Sequence, residues 1–218
     1  MTPFTYRQLF IALGILFVFA FKPAEKPFQG IITYSIDYLE VPESIEGLES
    51  MLPSDIQIHF KDHKTAIEQS VMGGSQKVIV DSEDSTSFIL MNMLGQKICI
   101  ELSKEELRET SKGLKAPTIT YQKETKKVLG YKCKMATITQ DSTVTTVFYT
   151  KELNVPKHKD FNQLDGFPLE YETYSNGMKL HMLATDIEEK TLDHSYFSIP
   201  DDYTRMTMDE MQHMMGNK

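Results

Sequence analysis

Two histidines four residues apart, His59 and His63, form the first pair in this sequence whose types and spacing could do chemistry. On a helix, this spacing would place both imidazoles on one face, where they could bind a metal ion. The run IQIHF around His59 alternates as a strand does, and four residues of strand span about 13 Å, which is too far for one ion. We therefore predict no metal site at this pair.

A sulfur-rich segment near the end of the sequence offers a second kind of chemistry. Thioethers suit Cu(I), so a copper site is one interpretation. The same methionines also form an apolar stripe at helical spacing, and packing over an apolar groove is the preferred interpretation. The segment comprises Met206, Met208, Met211, His213, Met214 and Met215.

Clustered carboxylates occur at 81–85, DSEDS, and at 160–165. Neither cluster has the glycine and glutamate spacing of an EF-hand, and solvated turns explain both. The sequence also lacks a G-x-S-x-G nucleophile motif, a P-loop and a G-x-G-x-x-G motif. We therefore predict no catalytic residue, no cofactor and no enzymatic activity.

Cys99 and Cys133 are the two cysteines, and both lie in strand-like runs at inward positions. In an oxidising compartment such a pair is a disulfide candidate, provided that the Cα atoms come within about 7 Å. Two buried free thiols that pack as small apolar residues are the alternative. The sequence leaves both interpretations open.

The elements that must position these residues are mostly strands. Period-2 alternation and turn residues predict about ten strands, which indicates a mainly β fold built on an antiparallel sheet. Hairpin turns are predicted at Leu94–Gly95, Asp141–Ser142 and Asn176–Gly177. The predicted strands cover 28–40, 56–60, 65–71, 77–80, 87–93, 97–102, 116–121, 128–140, 143–150, 169–174, 178–188 and 196–199.

Two or three short helices interrupt the strands. An amphipathic helix is predicted over 42–52, where Ile45, Leu48 and Met51 share one face. Capping boxes, in which Ser103 pairs with Glu106 and Thr207 pairs with Glu210, predict a surface helix over 103–112 and a Met-rich helix that ends at 216.

Gly130 separates two apolar runs in the stretch KETKKVLGYKCK. A glycine within strand-like sequence marks a bulge, a bend or a close backbone approach, so we predict that the sheet turns a corner here. By alternation, Tyr131 and Cys133 should face the interior, and Lys132 and Lys134 should face solvent.

The N-terminal sequence indicates export. Arg7 precedes the apolar run 9–21, and Val18 and Ala20 provide the small residues of a cleavage site, so residues 1–20 are predicted to be a cleaved signal peptide. Residues 21–218 are then a single β-rich domain, periplasmic or secreted, with no membrane-spanning segment. The formal net charge of −8 opposes nucleic-acid binding.

Several motifs resemble a domain-of-unknown-function family of Bacteroidota envelope proteins. They lie at 124–133, 148–150, 166–170, 197–203 and 206–210, in the pattern ETKKVLGYKC, FYT, GFPLE, FSIPDDY and MTMDE. Such proteins resemble the periplasmic lipoprotein carriers, so the resemblance implies a curved antiparallel half-barrel closed over an apolar cavity by helices.

These observations favour non-enzymatic binding of a lipid or a lipoprotein acyl chain as the function. The alternative is a structural or interaction module of the envelope with a filled core, which would bind a protein partner through the loop 151–164, where Lys157, His158, Lys159 and Phe161 lie. The predicted cavity residues are Tyr34, Tyr38, Ile45, Leu48, Met51, Met208, Met211 and Met215.

Overall fold

The computed structural model describes residues 27–71, 73–103, 116–140, 143–155, 161, 163–175, 177–208, 210, 211 and 213. The predicted signal peptide, the predicted helix beyond Ser103 and the basic cluster 157–159 lie outside these residues. Among the residues described, no helix is both long enough and apolar enough to cross a membrane.

Twelve strands make one open, curved sheet in the described part of the chain, which confirms the predicted mainly β fold. The order across the sheet is β12-β6-β5-β4-β3-β2-β1-β11-β10-β9-β8-β7. The strands are β1 Gly30–Glu40, β2 Asp55–Lys61, β3 Lys64–Val71, β4 Gly74–Asp81, β5 Thr86–Met93, β6 Gln96–Leu102, β7 Thr118–Val128, β8 Tyr131–Gln140, β9 Thr143–Thr150, β10 Phe167–Ser175, β11 Met178–Glu189 and β12 Thr204–Met206.

The sheet is mixed rather than purely antiparallel. β12 runs parallel to β6, with Thr204 opposite Ile98, whereas the other neighbouring pairs are antiparallel. A parallel neighbour needs a long connection. The chain therefore leaves β11 and crosses the sheet to reach β6 on the far side.

Two apolar cores lie on opposite faces of the sheet. On β2, Ile58 and Phe60 belong to the first core, which also draws on β1 and on β8 to β11. On β3, Ala66 belongs to the second core, which lies over β3 to β6 beneath the segment 190–203. Successive strand residues point to opposite faces, so His59, between Ile58 and Phe60, faces the second core.

Two predicted elements differ from the structure. The helix predicted over 42–52 is instead a pair of 3-10 turns, Glu43–Ile45 and Glu49–Met51, because Gly47 adopts a φ of 80° between them and ends the first turn. The strand predicted at 196–199 is instead the 3-10 turn His194–Phe197, since Asp193 caps it by accepting from the Ser195 amide at 2.8 Å.

The second capping box is present as predicted. The Thr207 hydroxyl accepts from the Glu210 amide at 3.2 Å, and the Glu210 carboxylate accepts from the Thr207 amide at 2.8 Å. Helical residues follow at Met208, Glu210 and Met211.

The interior cysteines are free thiols in separate cores. Cys99 belongs to the second core and Cys133 to the first, and both are fully buried. Burial raises the pKa of both thiols because it disfavours the thiolate. Of the two interpretations left open by the sequence, the structure shows buried thiols and not a disulfide.

The break at Gly130 is a hairpin and not a corner. Leu129 and Gly130 adopt φ values of 50° and 87° between the paired residues Val128 and Tyr131. Two central residues with positive φ are typical of the type I′ turn, which joins adjacent antiparallel strands. The predicted strand 128–140 was therefore wrong at its start, since Val128 ends β7.

Side chains after this turn take the predicted orientations. Cys133 is fully buried, Tyr131 packs partly buried against the first core, and Lys132 and Lys134 are exposed. Gly130 serves backbone shape, because a Cβ placed there would meet nothing within 4 Å.

Gly130→Val is expected to lower the free energy of unfolding by about 1–3 kcal/mol, since a β-branched residue is strained at positive φ. Chemical denaturation measures the loss. Gly130→Asn is the matched control and should lose less, because asparagine tolerates the left-handed region. Equal stability of the valine variant and the parent protein would contradict the turn geometry.

Candidate functional site

The predicted cavity residues that the structure describes occupy different parts of the fold. Tyr34 lies inside the first core, where its hydroxyl donates to the Pro168 carbonyl at 2.6 Å, and Tyr38 donates to the Pro53 carbonyl at 2.8 Å. Burial raises the pKa of both phenols. Both tyrosines therefore support the fold through backbone contacts.

The remaining predicted cavity residues are dispersed. Leu48 and Met51 are about half exposed beside β1. Ile45 is partly buried in the same connection. Met208 and Met211 follow β12, which is six strand positions from β1. Met215 lies outside the described residues. Strand order therefore separates the residues that lie beside β1 from those that follow β12, although the sequence predicted that both groups line one cavity.

A cleft on the second face brings polar and aromatic side chains together. It has a volume of about 120 Å³ and lies between β3, β4, β5 and the segment 195–203. Its lining residues are Glu68, Ser75, Lys77, Leu90, Ser195, Tyr196, Ser198, Pro200 and Tyr203. We refer to it as the Tyr196 cleft.

Strand register places Glu68 and Lys77, two polar lining residues of the Tyr196 cleft, next to each other, and it places His59 on the same face of the sheet. His59 on β2 lies opposite Ala66, and Glu68 on β3 lies opposite Lys77 on β4. The alternation that buries Ile58 on the first face therefore turns His59 toward the second face.

Hydrogen bonds and buried apolar residues hold the covering segment, residues 190–203, in place. The buried Lys61 ammonium donates to the Leu192 carbonyl, and the Lys190 amide donates to the Gln29 carbonyl at 3.1 Å. Leu192 and Phe197 are themselves buried in the second core. Tyr196 is consequently fixed above His59.

Tyr196 makes four contacts in this arrangement. Its ring stacks on the His59 ring with centroids 4.2 Å apart, and the Lys77 Nζ atom lies 3.6 Å from its centroid. Its hydroxyl donates to the Glu68 carboxylate and lies 3.0 Å from the His59 Nε2 atom. Lys77 also pairs with Glu68 at 3.6 Å.

These contacts determine the protonation of His59. The Tyr196 hydroxyl has one proton and gives it to Glu68, so it accepts from His59, whose Nε2 carries the hydrogen. The Nδ1 atom is then an unprotonated acceptor, and it is buried without a hydrogen-bond partner in the described structure. Burial lowers the pKa of His59 to about 4.

The same arrangement raises the pKa of Tyr196. Burial is the largest cause, and the hydrogen bond and charge of Glu68 add to it. Tyr196 therefore keeps its proton at neutral pH. The lining of the cleft therefore includes a neutral phenol and one ion pair, and the buried neutral imidazole of His59 packs against that phenol.

Two other polar clusters are ion-pair networks. His181 lies between Asp37 and Glu170 at 3.3 and 3.2 Å, so both of its ring nitrogens are engaged. His63 pairs with Asp81 and Glu83 at 3.4 and 3.1 Å. No group of three or more His, Cys, Asp or Glu side chains in the described ranges could hold a metal ion.

Sequence reasoning missed the Tyr196 cleft. It considered His59 only as a partner of His63, and it assigned Tyr196 to a strand. Glu68 and Tyr196 are 128 positions apart, so no local spacing connects them. The one available signal was the alternation of β2, which turns His59 away from Ile58.

Phe161 belongs to the first core rather than to an exposed loop. Its ring meets that of Tyr171 edge to face, with centroids 4.8 Å apart. The aromatic residue of the interaction loop predicted at 151–164 therefore lies in the interior. The basic cluster 157–159 lies outside the described part, and Lys151 pairs with Asp165.

Comparison with known proteins gives a different identity from the predicted one. The family described as "N-glycanase peptide, N-terminal domain" matches residues 51–211. A solved structure of PNGF-II in space group P21 has a TM-score of 0.53 at 17% identity and covers 87% of this chain and 34% of that one. A second, in space group C2, has a TM-score of 0.52 at 16% identity, covering 87% and 33%.

No curated protein matches the chain. The chain spans about a third of the length of the solved PNGF-II structures. At these identities, the structural likeness shows the fold.

The family match corrects three predictions. The resemblance to a domain-of-unknown-function family and to lipoprotein carriers was wrong, because the family model that matches residues 51–211 is the N-glycanase peptide, N-terminal domain. Lipid binding as a function was wrong, as was the exclusion of an enzyme family. The chain belongs to the N-glycanase peptide, N-terminal domain family.

Proposed function

We propose that this chain takes part in the release of N-linked glycans from glycoproteins and that it contacts the glycosylated substrate. The family match over residues 51–211 carries the proposal. The family's name refers to an N-glycanase, and the chain aligns with one third of the solved PNGF-II chains.

The surface chemistry of the described residues is compatible with this role. Glycans are recognised by placed hydrogen-bonding groups beside aromatic and apolar walls, and the Tyr196 cleft offers both. The predicted signal peptide supports a location outside the cytoplasm, where the protein would have access to secreted glycoproteins.

Binding to a glycoprotein and to its glycan-free form tests the proposal. The chain is immobilised and exposed to a high-mannose glycoprotein and to the same polypeptide produced without glycans. We expect binding to be at least about tenfold tighter to the glycosylated form, which corresponds to about 1.4 kcal/mol.

Mass spectrometry of the same mixtures follows glycan release, and release that depends on this chain would also support the proposal. The glycan-free polypeptide is the matched control for contacts with the protein part. Equal binding to both forms, together with no release, would contradict participation in glycan processing.

A further inference from the structure

We propose that the Tyr196 cleft binds one pyranose ring of an N-linked glycan. This assignment rests on the proposed function, and it adds a place and a ligand class to it. Ser75, Glu68 and Lys77 would contact the sugar hydroxyls, and Tyr203 would face the ring.

The charge of the cleft favours a neutral polyhydroxylated ligand. Its one carboxylate and its one ammonium group, Glu68 and Lys77, lie 3.6 Å apart and compensate each other. An ionic ligand would have to break this pair. A hydroxyl group can instead donate to the carboxylate and accept from the ammonium while the pair persists.

Both of these groups keep hydrogen-bonding capacity. The contacts that Glu68 makes with Tyr196 and Lys77 are made through Oε2. A carboxylate accepts at two oxygens, so Oε1 can bind a ligand. The Lys77 ammonium has three donors and is only partly buried.

The walls combine apolar surface with hydroxyl groups. Leu90, Pro200 and Tyr203 supply the apolar surface, and Ser75, Ser195 and Ser198 supply hydroxyl oxygens. A pyranose has an apolar face of C–H groups and a polar rim of hydroxyl groups. It therefore matches a cleft that is lined by both apolar side chains and hydroxyl groups.

The size of the cleft restricts the ligand to a small unit. One water needs about 10–15 Å³ of comparable volume, so 120 Å³ holds several waters. A branched oligosaccharide would extend beyond it. We therefore assign the cleft to a single sugar residue, with the rest of the glycan outside.

The lining is fixed before a ligand arrives. The Ser198 hydroxyl donates to the Ser195 carbonyl at 2.7 Å, and Asp193 accepts from the Ser195 amide at 2.8 Å. Tyr196 is held between His59 and Lys77. A preorganised site loses less entropy on binding, which favours recognition of a weak, neutral ligand.

Titration of the chain with methyl α-mannopyranoside and with N-acetylglucosamine tests the assignment by NMR. We expect saturable shifts for at least one sugar at Tyr196 and Tyr203, with a dissociation constant on the order of 1 mM, which is typical of a small, weak ligand. Ser75→Phe should fill the cleft and abolish these shifts.

Two further variants control the experiment. Thr173→Phe on β10 introduces the same side chain at a partly buried strand position outside the cleft and should retain binding. Glu68→Gln keeps the side-chain shape and should weaken binding about tenfold by removing the charged acceptor. It serves as the decisive variant if Ser75→Phe does not fold.

The outcomes distinguish failure of the sugar-site assignment from failure of the proposed function. Absence of saturable shifts, or shifts that persist unchanged in the folded cleft variants, overturns the sugar site. If those variants still bind the glycoprotein as the parent does, only the cleft assignment fails. If sugar shifts occur at the cleft while the chain shows no preference for glycosylated protein, the proposed function fails and the sugar site stands.

Discussion

Phe60→Ala is expected to lower the free energy of unfolding by about 3–5 kcal/mol, which is the usual cost of removing a large aromatic side chain from a packed core. Phe60 is 2% exposed. Its ring meets Phe28 and Phe167 edge to face at 6.0 and 5.7 Å. The truncation would therefore leave a cavity between three elements of the first core.

Chemical denaturation of the parent and the variant measures this loss. Tyr174→Ala is the matched control, because Tyr174 is also an aromatic strand residue but is 52% exposed. Its loss should stay near 0.5 kcal/mol, the usual range for surface changes. Similar losses for both variants would argue against the position of Phe60 at the centre of the core.

Acidification from about pH 6.5 to pH 4 is expected to lower the free energy of unfolding by about 3 kcal/mol, because the unfolded chain protonates His59 more readily than the folded protein does. The pKa of His59 falls to about 4 in the folded protein, mainly because of burial, while the unfolded chain keeps the ordinary value near 6.5. Between these values the unfolded state binds a proton that the folded state does not. Stability is therefore full above about pH 6.5 and declines as the pH falls toward 4.

The lowered pKa of Asp81 affects protein stability at a lower pH than His59 does. Burial by itself would raise the pKa of Asp81, but hydrogen bonds from Lys64 and from the backbone amides of Asp84 and Glu83 together lower it below its usual value. Its stabilisation is present above the unfolded value, near 3.8, and is lost as the pH falls through the lower folded value. The window between pH 6.5 and 4.5 therefore lies above the range in which Asp81 contributes.

Denaturation across this window checks the prediction. His59→Phe keeps an aromatic ring against Tyr196 and should flatten the pH dependence. His194→Gln removes an exposed histidine from the 3-10 turn that contains Tyr196. This control variant should leave the pH dependence of stability unchanged. A pH profile of His59→Phe as steep as that of the parent would exclude His59 as the source.

Much of the fold was predictable because it follows from local chemistry. The alternation from Gly30 to Glu40 and the turn at Leu94–Gly95 correspond to β1 and the β5–β6 hairpin. The Thr207–Glu210 capping box formed as expected. In each case, the residues that decide the structure lie within a few positions of one another.

Predictions failed where one residue has several structural uses. The dipeptide Leu-Gly forms a two-residue turn at 94–95 and again at 129–130. The first was identified as a hairpin, but the second was interpreted as a corner. Gly130 by itself permits either, and pairing of Val128 with Tyr131 decides between them.

The sequence by itself determined most of the strands and the burial of Cys133, but it missed β12 and placed a strand at 196–199. Only the tertiary structure decided which distant residues meet. The Tyr196 cleft needs the register of β2, β3 and β4 and the crossing of the segment 190–203 over the second face. Local periodicity specifies which face a side chain occupies. The neighbour that it meets there depends on strand order and on the path of the chain across the sheet. The hairpins set the register of β2 to β4, whereas the contact between Tyr196 and Glu68 joins residues 128 positions apart.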